Sequence, residues 1–69
     1  LIITVEKIVR KTHAIEAEMK IRDVTLEQFL GDANVSTTSW SMWRHGKVLP
    51  GPAKWSDVLE AFERLKQWN

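Results

Sequence analysis

The stretch that most restricts how this chain can fold is residues 25–46, where two short helical patterns are separated by only a few residues. Thr25 with Gln28 three places later is a capping-box pattern: the hydroxyl accepts from one free helical N–H and the amide side chain returns the bond. Leu26, Phe29, Leu30 and Ala33 then form one apolar face at helical spacing. Asn34 tolerates the left-handed conformation better than most non-glycine residues, so it can end this helix and turn the chain. After Asn34 and Val35, Ser36 caps a second helix over residues 36–45, with Trp40 and Trp43 on its apolar side and Gly46 closing it. Helices joined so closely share one core rather than building two. Gly31 lies inside the first of them, where it costs roughly 1 kcal/mol relative to alanine. That cost predicts a close neighbour at Gly31.

The flanking segments supply the rest of the core. Residues 4–22 hold no glycine or proline, and Val5, Ile8, Val9, Thr12, Ile15 and Met19 make a helical stripe behind Thr4 as N-cap. A short strand over residues 1–5 is the alternative reading of the β-branched start. It ranks second, because no other strong strand is present to pair with it. Glycine and proline gather between Gly46 and Pro52 as a loop, and from about Ala53 a further helix carries Trp55, Val58, Leu59, Phe62 and Leu65. The expectation is one all-α domain over residues 1–69, a compact bundle of four to five helices. A chain of this size buries only ~60% of the surface its unfolded form exposes. Its four tryptophans therefore matter, since each aromatic ring buries roughly 150–250 Å². Trp40, Trp43 and Trp55 read as core. Trp68 either packs back on the first helix or marks a partner surface.

The chain has no cysteine, which excludes disulfides and thiolate metal sites and fits a reducing, cytoplasmic setting. No apolar run approaches the ~18–20 residues that span a bilayer, and Leu1, Ile2 and Ile3 are too few for a signal-peptide core. The chain begins with Leu1 instead of methionine, as a piece of a longer protein would. His13 with Glu16 lacks a third metal ligand, and no nucleophile triad, paired-acid arrangement or glycine-rich phosphate loop can be placed. Neither enzyme chemistry nor a metal, cofactor or small-molecule substrate is expected. Net charge is only +1, but its distribution is uneven: between Ala33 and Ser56 there is no acid, while Arg44, Lys47 and Lys54 are present beside His45. A locally positive surface attracts phosphates even on a near-neutral chain.

Residues 24–55, VTLEQFLGDANVSTTSWSMWRHGKVLPGPAKW, resemble the lambda repressor/Cro-like helix-turn-helix family. Phe29, Ala33, Val35, Trp40 and Trp43 fall where that family keeps its core. Gly46 matches its glycine after the recognition helix, and Pro50 or Pro52 its proline before the next helix. The resemblance implies a DNA-binding transcriptional regulator of phage or bacterial repressor type, with residues 36–45 in the major groove of double-stranded DNA and a homodimer as the working form. It places Ser36, Thr37, Thr38, Ser41, Met42 and His45 on the base-reading face. Arg44, Lys47 and Lys54 are the expected phosphate contacts. The chain departs from the family where an arginine of helix 1 usually pairs with a glutamate late in the recognition helix: those places hold Met19 and Arg44. A reversed pair, Arg44 with Glu16 or Glu18, is expected instead. No arginine, glutamine or asparagine occupies the central reading positions, so DNA shape should contribute to selectivity. The apolar candidates for a dimer surface are Leu1, Ile2, Ile3 and Trp68. A competing reading keeps the same motif as a scaffold for protein–protein interaction, on the strength of the near-neutral charge and short side chains of that face.

Overall fold

The computed structural model describes residues 4–67, which form four α-helices: α1 (Val5–Ile21), α2 (Leu26–Ala33), α3 (Thr37–Arg44) and α4 (Pro52–Lys66). No strand occurs among the described residues. The strand alternative at the start of the chain lies mostly outside them, and Val5 is already helical. The dimer candidates Leu1, Ile2, Ile3 and Trp68 also lie outside.

Each helix start has a local cause. The hydroxyls of Thr4, Thr25 and Ser36 accept from the backbone N–H of Lys7, Gln28 and Ser39, and Gln28 returns a bond to the Thr25 N–H at 2.9 Å, completing the capping box. α4 starts differently: Gly51 offers no side-chain cap, and Pro52 supplies a first helical position that needs no N–H partner. The ends of α1, α2 and α3 share one device. Asp23, Asn34 and Gly46 take positive φ (57°, 57° and 74°). The next residue's N–H then bonds a carbonyl five positions back: Val24 to Met19, Val35 to Leu30 and Lys47 to Met42. Aspartate, asparagine and glycine are the residue types that enter this region most readily.

α1 packs against α3 and α2 against α4, with α1 also touching α4 and α2. The globule measures 32 × 22 × 19 Å. Its core is built from Ile8, Ile15 and Met19 of α1, Phe29, Leu30 and Ala33 of α2, Val35, Trp40 and Trp43, and Trp55, Val58, Ala61, Phe62 and Leu65 of α4. Thr12 is buried among them, its hydroxyl satisfied by donation to the Val9 carbonyl at 2.7 Å. Aromatic rings join α2, α3 and α4 in a chain of edge-to-face contacts, Phe29–Trp40–Trp43–Trp55, with centroids 5.9–6.3 Å apart. Such pairs contribute ~0.5–1.5 kcal/mol beyond the area they bury.

Three sequence expectations change here. Leu59 is on the outer side of α4, and Ala61 takes the inward place, because the core-facing spacing from Val58 runs through Ala61, Phe62 and Leu65. Val5 is exposed and Val9 half-buried; the α1 stripe narrows to Ile8, Thr12, Ile15 and Met19. Gly31 has no neighbour: a methyl group there would meet nothing within 4 Å. The close approach occurs at Gly46 instead, where an added methyl would sit 2.9 Å from Val5 Cγ1 and 3.4 Å from Val9 Cγ2.

Candidate functional site

α3 is eight residues long and the chain around it carries no acid from Ala33 to Ser56. Its two sides have opposite chemistry. On the inner side Trp40 and Trp43 are 1% and 5% exposed. The Glu16 carboxylate, from α1, ties the same side down: Oε2 accepts from the Trp40 indole N–H at 2.9 Å, and Oε1 accepts from Arg44 Nε at 2.9 Å. Trp40 and Arg44 are one turn apart on α3, so a single acid grips successive turns. The reversed pair expected for Arg44 is thus present, with Glu16 as partner. Glu18 instead pairs with Arg22, the residue that caps the end of α1.

The outer side is polar and open. Thr37, Thr38, Ser41, Met42 and His45 are all exposed, and together with Lys47 they line one shallow cleft of about 360 Å³. The spacing of three and then four residues from Thr38 through Ser41 to His45 puts them on one helical stripe. Lys47 makes no ion pair with any described residue. It enters the cleft because Gly46, at φ 74°, reverses the chain as α3 ends.

The remaining residues singled out from the sequence sit elsewhere. Ser36 has its hydroxyl engaged as the α3 cap, accepting from Ser39 N–H and donating to Ser39 Oγ at 3.0 Å. It lines a separate cleft of about 510 Å³ with Leu30, Gly31, Asn34, Val35, Ser39 and Lys54. Lys54 Nζ donates to the Asn34 carbonyl at 2.7 Å, which fastens α4 to the turn between α2 and α3. Arg44 is held by Glu16. A second cross-helix ion pair, Arg64 with Asp32 at 2.9 Å, closes α4 onto α2. Two of these anchors had no sequence signal: the Trp40 link to Glu16 and the Lys54 link to a backbone carbonyl.

Among the described residues no group of three or more His, Cys, Asp or Glu side chains is placed to hold a metal ion. Nor is any of their helices long and apolar enough to cross a membrane. No family model matches the chain, and no curated protein or solved structure with detectable similarity to it was found. What α3 does must be read from its own side chains.

Proposed function

We propose that this chain is a DNA-binding transcriptional regulator of repressor type, in which α2, the turn at Asn34 to Ser36 and α3 act as a helix-turn-helix and α3 enters the major groove. The observation that carries the reading is the asymmetry of α3: a side immobilised by Trp40, Trp43 and Glu16, opposite an exposed stripe of Thr37, Thr38, Ser41, Met42 and His45 with Lys47 at its end. Threonine and serine hydroxyls exchange hydrogen bonds with several base edges, and the threonine methyl and the Met42 side chain suit the thymine methyl. The likeness of residues 24–55 to the lambda repressor/Cro-like pattern supports the same docking. Lys47 supplies the charge nearest the reading stripe, for a phosphate beside the groove. A homodimer is the natural working form, because one module of this size buries little area and a symmetric pair doubles the contacts.

The test is the salt dependence of binding to duplex DNA. With roughly six phosphates neutralised by a dimer, the slope of log affinity against log salt is about −5. Lys47→Glu should weaken retention of every duplex. Lys54→Glu is the poorer probe, since its ammonium also holds the Asn34 carbonyl. Absence of binding at low salt overturns the reading. It would then favour the interaction-module alternative, which draws on the internal engagement of Arg44 and Lys54 and on the exposed side chains of Met42, Val48 and Leu49.

A further inference from the structure

His45 sits at the C-terminal end of α3, and its ring is fixed from behind. Nδ1 lies 2.8 Å from the Ser41 carbonyl oxygen and 3.4 Å from Ser41 Oγ. A carbonyl oxygen can only accept. The short contact therefore requires the proton on Nδ1, and in the neutral imidazole that leaves Nε2 as a bare acceptor. The same Ser41 carbonyl also accepts the His45 backbone N–H at 3.0 Å, so its two lone pairs are both in use and the ring has one preferred setting. Nδ1 faces the helix, so Nε2 is turned away from it, and His45 lines the cleft shared with Thr37, Thr38, Ser41, Met42 and Lys47. Among the described residues, the one lysine lining that cleft is Lys47, and no acid does. Thr37, Thr38 and Ser41 can each donate or accept, so none of them forces a choice of base. His45 is the one member of the stripe whose hydrogen-bonding sense is set by the fold.

We propose that His45 is the specificity-determining residue of this surface: its Nε2 accepts from an exocyclic amino group in the major groove, adenine N6 or cytosine N4, and disfavours guanine at the contacted position. This rests on the DNA-binding reading above. The chemistry follows from the base edges. Adenine and cytosine present an amino donor there, whereas guanine presents N7 and O6, two acceptors that would face a third.

Two measurements test it. The first needs no DNA: nitrogen-resolved NMR of the free protein with its imidazole neutral should show the His45 proton on Nδ1. A proton on Nε2 overturns the proposal. The second is selection from random duplexes at low salt with the wild-type chain, His45→Ala and His45→Arg. The wild type should prefer adenine or cytosine over guanine at one position of each half-site by about two- to tenfold, the range of a single hydrogen bond. His45→Ala should lose that preference, and His45→Arg, which only donates, should invert it towards guanine. A wild-type site whose every position is unchanged in both variants overturns the role of His45 while leaving DNA binding intact. Failure of the wild type to retain any duplex refutes the DNA reading, and this proposal with it, whatever the tautomer. The side chain is exposed and lies past the last helical residue, so both variants keep the core contacts of α3. Unchanged thermal unfolding verifies this.

Discussion

The inner and outer sides of α3 obey different rules although they alternate within the same eight residues. On the inner side each group is committed several times over. The Trp40 ring meets Phe29 and Trp43 edge-on while its N–H is bonded to Glu16, and Glu16 is itself shared with Arg44. On the outer side Thr37, Thr38, Ser41 and Met42 are exposed, and short hydroxyls predominate. The difference teaches that rigidity and surface chemistry are assigned to separate sides of one helix. One side can be altered without disturbing the fold, provided the other is kept.

The largest effect that would break this separation comes from the inner side. Trp40→Ala should cost ~3–5 kcal/mol, as truncation of buried aromatics generally does. Denaturant unfolding would measure it, and in so small a domain such a loss should abolish folding near 37 °C. Next in size is Glu16→Ala, which leaves the Trp40 N–H buried without an acceptor and Arg44 without its ion pair. A loss of ~1–3 kcal/mol is expected, and a double-mutant cycle with Arg44→Ala should show the two residues to be coupled. Gly31→Ala should act in the opposite direction. With nothing within 4 Å of the new methyl, the helix should gain roughly 0.5–1 kcal/mol, seen as a higher melting temperature. The smallest stability change should come from the outer side. The triple variant Thr38→Ala, Ser41→Ala, Met42→Ala should unfold within about 0.5 kcal/mol of the parent, yet lose most of its duplex retention. A large stability loss in that variant would show that the two sides are not separable after all.

How much of this could be read beforehand depended on whether the cause was local. The caps at Thr4, Thr25 and Ser36 and the reversals at Asn34 and Gly46 are decided within a few residues, so their sequence patterns predict them at the right positions. The Asp23 reversal carries the weaker signal of aspartate and was not anticipated. On α4, hydropathy favours Leu59 over Ala61, but the angle at which the helix lies on α2 decides, and that angle comes from packing. Gly31 misled for a similar reason: its cost is local, but whether a neighbour fills the space is not. In the candidate site, the likeness to the repressor/Cro-like pattern, with its ion pair reversed, pointed Arg44 to an acid on α1. The indole N–H of Trp40 and the Asn34 carbonyl carry no such label, because their partners are set only once the helices have docked.

The chain of rings from Phe29 to Trp55 has a consequence for observing this molecule. It links α2 to α3 and α3 to α4 through one phenyl ring and three indoles, neighbours held at 63–86° to one another. Fixed, asymmetric stacking of this kind gives tertiary aromatic circular dichroism, which disappears when packing loosens even if helical content survives. The near-ultraviolet signal of this domain is thus a built-in gauge of α3 seating. It should fall ahead of the far-ultraviolet helix signal whenever α3 works loose from its neighbours before the helices themselves melt.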